Sequence, residues 1–333
     1  MPAQIAAQHR HSLLQRLDSL LDVRDMRSKR DTNYVSRPDK HWTLRLINNV
    51  SGTNFDLRIV SKLFDEDADN VIHFLFKDQM RHTMTLSANY RGLAVALAFN
   101  PASMFGKKTS TEINVNSYGN HYGFDFIYET NGKFDGEIKI DDMSFGEDED
   151  WEMGSIIREE SLTINAYYAF NGNKFSYPAA FSQSYVQKRS AGSLMAGLSY
   201  HRGSVGAVEE DEEIDPEFYD PNDVEKVKMS YASVGLGYGY NFVPKHNWLL
   251  HISTLPSIVF WRENKVIKTI GTELMKATFP EVTIVARGSV VHYFKNIFLG
   301  LTMVYNYTSA GDYDYLRLTH NKWRARLIIG KRF

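Results

Sequence analysis

The chain has 333 residues, enough for one closed barrel of about a dozen strands or for two modest domains. A formal charge of −2 offers no basic surface for wrapping nucleic acid, and the absence of cysteine removes thiol catalysis, thiolate metal sites and disulfides together. Aromatic residues reach 13%, a share that suits surfaces that are greasy in the middle and wet at the edges.

From Ser12 to Val23, Leu13, Leu14, Leu17, Leu20 and Leu21 recur at helical spacing and predict a short amphipathic helix. The charged stretch 24–40, ending in Arg37-Pro38-Asp39, reads as a linker, so residues 1–40 form an amino-terminal periplasmic piece and 41–333 the main domain. The first 26 residues carry no apolar secretory core, and the chain is read as a form whose leader has been removed.

Beyond residue 40 the period changes to two. Trp42, Leu44 and Leu46 alternate with polar neighbours, then Phe55, Leu57 and Ile59 do the same, which predicts two strands joined by a turn at residues 49–53. The pattern continues through Met84–Tyr90, Leu93–Phe99, Tyr122–Tyr128, Leu162–Phe170, Tyr185–His201, Met229–Phe242, Trp248–Ser257, Val282–Phe294, Phe298–Thr308 and Trp323–Phe333. Residues 111–129 fit one tilted strand or a bent pair. No run approaches the eighteen or so apolar residues of a membrane helix, whereas barrel strands of about ten alternating residues escape a hydropathy average.

With the termini on one side, the near side, connections after odd strands fall on the far side. There residues 131–160, 202–228, 261–281 and 309–322 are long, while 243–247 and 295–296 on the near side are short. Short periplasmic turns and long external loops are the habit of outer-membrane barrels. Residues 61–81 break the rule as a long near-side connection. The acidic segments 135–152 and 209–225 fall outside. The last strand, with Trp323, Ala325, Leu327, Ile329 and Phe333 alternating to the terminus, resembles the assembly signal of such barrels, although Lys331 departs from it. The expected fold is an antiparallel transmembrane β-barrel of about twelve strands with a short amino-terminal helix.

Four phrases, Asp31-Thr-Asn-Tyr34, Tyr90-Arg-Gly-Leu93, Phe175-Ser-Tyr-Pro-Ala-Ala-Phe181 and Ser190-Ala-Gly-Ser193, resemble recurring segments of the Bacteroidetes family filed as domain of unknown function 4421. The resemblance covers residues 31–333 and implies an outer-membrane barrel of a Gram-negative bacterium, without any activity or catalytic residues.

Arg45, Arg324 and Arg326 stand opposite the apolar residues of the first and last strands, with Asp56, Arg58 and Arg287 as further members of a lumen-lining charge cluster. Such a cluster makes either a basic, anion-selecting constriction or a salt-bridged filling of a narrow barrel. His251 and Ser253 share a face two residues apart, but no third group to orient the histidine is legible, so no catalytic site is assigned. The other histidines show no metal-ligand spacing, and the alternating Gly235, Gly237 and Gly239 lie in a strand rather than in a phosphate-binding turn. No cofactor, metal or nucleic acid is expected. The expected partners are outer-membrane lipid and the barrel assembly machinery, with a small solute if the lumen is open. A narrow channel or a surface-loop platform is the leading expectation for function, against an outer-membrane lipid hydrolase or a soluble all-β carbohydrate-binding module.

Overall fold

A polypeptide whose polarity alternates with period two buries one face by pairing strand on strand, and short turns make those pairs antiparallel. The computed structural model describes residues 30–333 except 62–69, 79, 91–92, 100–110, 132–133, 141–142, 146–156, 208–223, 269–270, 275–280 and 312–315. The helix expected around Leu13–Leu21 lies outside the described residues.

After a two-residue strand β1 (Val35–Ser36) come β2 (Trp42–Ser61), β3 (Asn70–Asp78), β4 (Arg81–Tyr90), β5 (Leu93–Phe99), β6 (Thr111–Tyr118) and β7 (Tyr122–Asn131). A hairpin follows, β8 (Phe134–Ile140) and β9 (Met143–Phe145), then β10 (Ile157–Ala169). The next elements are a single-turn helix α1 (Tyr177–Phe181), β11 (Val186–Gln187), β12 (Ala191–Ala207), β13 (Val224–Phe242) and β14 (Trp248–Lys268). The chain ends with β15 (Thr272–Leu274), β16 (Val282–Phe294), β17 (Ile297–Gly311) and β18 (Leu316–Arg332).

All but β1 and β11 belong to one antiparallel sheet, in the order β6-β7-β10-β12-β13-β14-β16-β17-β18-β2. Along its far half β2 then pairs with β3, and along its near half with β4, which pairs in turn with β5. With β3 and β4 counted as one interrupted strand, the wall has twelve strands. The β8–β9 hairpin, expected only as an acidic loop, extends the sheet on the far half of β3. Residues 111–129 resolve as a pair of strands, β6 and β7. Among the described residues β5 and β6 share no registered pairing; the sheet is drawn round by side chains that meet across its interior, described below.

Two strands with a turn at residues 49–53 were expected, and one strand of 20 residues is found. The register of β2 on β18 runs without a slip from Thr43↔Arg332 to Ile59↔Leu316. What changes at residues 51–53 is polarity. In the near half Trp42, Leu44 and Leu46 point outward and are exposed, while Thr43, Arg45 and Asn49 are buried inside. In the far half Phe55 is buried inside, packed with Phe76, Val227, Met229 and Leu318, and Asp56 and Arg58 stand on the outer face. The inversion recurs on β13, where outward Val234, Leu236, Tyr238, Tyr240 and Phe242 give way to outward Lys226 and Lys228 over buried Val227 and Met229. An alternation that shifts phase looks like a turn when only the order of residues is read. Asp56 and Arg58 therefore leave the lumen cluster in which they were expected, and within the anomalous near-side connection expected at 61–81 residues 70–78 form β3, paired with β2 from Ser61↔Asn70.

Pro256 lies within β14, between β13 and β16, and cannot donate an N–H to the ladder. The β13–β14 register is interrupted there, between Gly235↔Ser257 and Tyr238↔Thr254. Gly237 fills the gap by close approach: a Cβ on it would fall 2.0 Å from the Thr254 carbonyl oxygen and 2.8 Å from Leu255 Cα. Backbone cannot swing aside. Gly237→Ala is expected to lower unfolding free energy by about 1–3 kcal/mol, read from the urea midpoint of heat-modifiable migration. Gly288→Ala, whose Cβ would meet nothing nearer than 3.8 Å, is expected to be near neutral in the same assay.

Candidate functional site

The near half of the interior is filled from two directions. From the wall come inward side chains at alternate positions. From below comes the connection 170–190 between β10 and β12, a near-side segment that packs against the inner face of the curled sheet as a plug.

Within the plug, Ser176 caps α1, its Oγ accepting from the Ala179 N–H (3.3 Å) and donating to Asn120 Oδ1 (2.8 Å). Phe175, Tyr177 and Phe181 are buried against Tyr167, Met195, Leu249 and Val291 of the wall. Past the helix Gln183 takes a left-handed conformation (φ 52°), a position that usually favours glycine, although its side chain is fully buried and donates to the Ala180 carbonyl. Two wall arginines hold this turn by its carbonyls. Arg45 donates to Ser182 O (2.9 Å) and to Ser87 Oγ (2.9 Å), and Arg332 donates to Gln183 O (2.9 Å). Residues 31–38 of the expected linker 24–40 clamp the plug from outside: β1 pairs with β11, Asp31 N–H donates to Asn173 O, and Arg37 donates to the Tyr185 hydroxyl. Three of the four phrases noted in the sequence, those beginning at Asp31, Phe175 and Ser190, thus converge on the plug and its seat.

His251 and Ser253 of β14 lie under the plug, and the orienting group that was not legible in the sequence is Asn241 of the adjacent β13. The hydrogen-bond directions follow from the partners. Gln187 Nε2 donates to the Lys174 and Arg189 carbonyls, which leaves Gln187 Oε1 as an acceptor. Asn241 Nδ2 donates to that oxygen and to Ser176 O (2.9 Å each), so Asn241 Oδ1 accepts from His251 Nδ1 (2.7 Å). His251 Nε2 is then the acceptor for the Ser253 hydroxyl (2.9 Å). This is the hydroxyl–imidazole–amide order that activates a nucleophile. It is also closed off, because Phe175, Tyr177 and Phe181 pack round the imidazole with ring centroids 5.0–5.8 Å away.

Higher in the interior, charges meet across the sheet. Asp125 on β7 accepts from Arg287 on β16 and from the Tyr118 hydroxyl (2.6 Å). Glu129, fully buried on β7, is paired with Lys322 of β18 and lies 3.6 Å from Arg81 of β4 and 3.7 Å from Arg324 of β18. Glu159 sits 3.9 Å from His320. Of the arginines singled out in the sequence, Arg45 grips the plug, Arg287 and Arg324 face carboxylates, and Arg326 shares the inward face of β18. Asp125 and Glu129 were missed, although they alternate with Phe124, Phe126 and Tyr128 and so had to oppose the apolar face. Trp323, Leu327, Ile329 and Phe333 are on the outer face, with Leu327, Ile329 and Phe333 about half exposed.

Removing one partner of a buried ion pair leaves the rest charged in a dry place. Glu129→Ala is expected to cost about 3–5 kcal/mol of stability. Glu129→Gln combined with Lys322→Met should recover part of that loss, as a denaturant titration of folded protein would show.

Against known proteins, a family profile described as domain of unknown function (DUF4421) matches residues 29–333. No curated protein matches the chain. Among solved structures, the outer membrane protease OmpT from Escherichia coli aligns at 9% identity and a TM-score of 0.40, over 90% of this chain and 98% of that one. The translocator domain of the autotransporter NalP from Neisseria meningitidis aligns at 10% identity and a TM-score of 0.30, over 98% and 97%. The outer membrane protein OprG from Pseudomonas aeruginosa aligns at 9% and 0.23, over 88% and 97%. No residue role is carried across at such distances. With nearly all of its length matched by the profile, the chain belongs to the DUF4421 family.

Proposed function

We propose that this protein is an integral outer-membrane β-barrel of a Gram-negative bacterium, sealed at rest, which acts through the far half of its wall strands as a surface platform rather than as an open pore or an enzyme. Support for the membrane comes from the outer face. Leu194, Leu198, Val234, Leu236, Ile252, Leu301, Met303, Leu327 and Ile329 lie outward on the wall strands, with Leu236 and Ile252 70% exposed. A water-soluble protein rarely shows so large an apolar band. Along β13 the band spans Val234 to Phe242, roughly 30 Å of strand at about 3.4 Å per residue, which at a tilt near 45° gives about 20 Å of height. Aromatic residues edge it on both sides, Trp42, Tyr122, Trp248 and Phe333 near the termini and Tyr200, Trp261 and Tyr305 at the far end. On this reading the outward Trp323, Leu327, Ile329 and Phe333 present the apolar strand recognised by the assembly machinery.

The observation that carries the sealed state is the filled interior: a buried plug below, and above it carboxylates paired with cations from the opposite wall. A water-filled pore would leave those charges hydrated. In a planar bilayer the refolded wild type is expected to show no steady conductance. Replacing residues 174–188 by a flexible glycine–serine segment should open a current. Steady conductance of the wild type would overturn the sealed reading.

The Ser253–His251–Asn241 chain favours a second reading, a lipid or ester hydrolase uncovered when the plug moves. A fluorophosphonate probe separates the two. The platform reading expects no labelling of Ser253 in intact protein or in the plug-replaced variant; labelling of either, lost in Ser253→Ala, would establish the hydrolase.

A further inference from the structure

Above the far aromatic edge, the outer face of β10, β12, β13 and β14 carries a basic cluster that no part of the sealed-barrel account uses. The register runs the small outward residues Ser204 and Gly206 of β12 along its floor, with the longer side chains of β10 and β13 on either side. The register puts the outward residues in rows. Tyr200, Ala232 and Trp261 mark the aromatic edge, with the Tyr200 and Trp261 rings 6.4 Å apart. One row higher stand Leu162, Arg202, Ser230 and Glu263; next come Glu160, Ser204, Lys228 and Lys265; then Arg158, Gly206, Lys226 and Ile267.

Arg158, Arg202, Lys226 and Lys228 are exposed and Lys265 is partly so. Among the described residues of these rows, five cations face two carboxylates. Glu263 is paired with Lys265, and that hydrogen bond holds its carboxyl below the usual range. Glu160 accepts from the Tyr128 hydroxyl (3.0 Å). Lys228 and Lys265 are direct register partners, an arrangement that costs stability unless an anion lies between them. Each row climbs about 7 Å of strand, or about 5 Å of height at a 45° tilt, so Arg202, Lys228 and Lys265 stand about 5–10 Å above the aromatic edge. The polar headgroup layer occupies that height, and long cationic side chains reach within it.

Resting on the membrane reading above, we propose that this cluster binds the phosphates of an outer-leaflet glycolipid of the lipid A class, with Arg202, Lys226, Lys228 and Lys265 as phosphate ligands and Tyr200 and Trp261 against the sugar and acyl boundary. Charge complementarity and height select the occupant: a multiply phosphorylated headgroup fits a cluster with surplus positive charge, and a zwitterionic one gains nothing from it. The smooth floor of Ser204 and Gly206 leaves room for the headgroup beside the basic wall of Lys226, Lys228 and Lys265.

The test uses the full chain refolded into phosphatidylcholine vesicles containing diphosphoryl lipid A, monophosphoryl lipid A or a dephosphorylated analogue, with co-purified glycolipid counted after detergent extraction. Retention is expected to fall in that order. The triple variant Arg202→Gln, Lys226→Gln, Lys228→Gln should reduce retention of diphosphoryl lipid A about tenfold. Removing equal charge elsewhere on the outer far half, with Arg58→Gln, Lys77→Gln and Arg317→Gln, should leave it unchanged. Equal retention of phosphorylated and dephosphorylated lipid by the wild type, or equal losses in the two variants, would overturn the proposal. Insertion into plain phosphatidylcholine, read by heat-modifiable migration, tests the membrane reading by itself. A protein that inserts and ignores phosphate sinks this inference alone; one that does not insert at all sinks the membrane reading as well.

Discussion

A strand shows its neighbours two faces, and in this curled sheet the character of each face changes half-way along. Near the termini the outer face is apolar and the inner face polar; beyond residues 51–53 of β2, and at the same height on β13 and β14, the two exchange. Since side chains alternate strictly, a strand cannot change one face without accounting for the other. The near half is therefore obliged to fill its interior with polar groups, and the far half can close over an ordinary apolar core of Phe55, Phe76, Val227, Met229 and Leu318.

Filling the polar half is the harder task, because each buried charge needs a partner within reach. The structure meets it by reaching across. β7 supplies the acids, Asp125 and Glu129, and the facing wall supplies Arg287, Lys322, Arg324 and Arg81. These pairs stand where no local hydrogen-bond ladder could hold the sheet in a curl, and the desolvated Glu129, set among cations from two strands, resists separation of the walls.

The plug completes the same logic at the near end. Its aromatic side covers the wall's apolar residues, and its unpaired carbonyls, those of Ser176, Ser182 and Gln183, go to Asn241, Arg45 and Arg332. Asn241 is saturated on both amide hydrogens and on its oxygen, which is why the His251 and Ser253 directions are determined rather than free. A catalytic-looking triplet thus also serves as the polar seat of a buried segment, and the position of the plug separates the two roles.

Period-two alternation, the aromatic edges and the short near-side turns were enough, from sequence, for an antiparallel all-β wall of twelve strands and for the inward placement of Arg45, Arg287, Arg324 and Arg326. These are local properties, decided by the direction of each Cβ. Three things were not local. The phase shift in β2 reflects an exchange of apolar and polar faces shared with β13, which no window of residues contains, and so it passed for a turn and sent Asp56 and Arg58 to the wrong face. Asn241 reaches His251 only through the β13–β14 register, ten residues apart in sequence and adjacent in space. The plug is built from a connection whose residues carry no strand period, and its seat draws on β2, β13, β14 and β18 together; where such a segment docks is decided when those strands are side by side, because only then do the partners for its buried carbonyls exist.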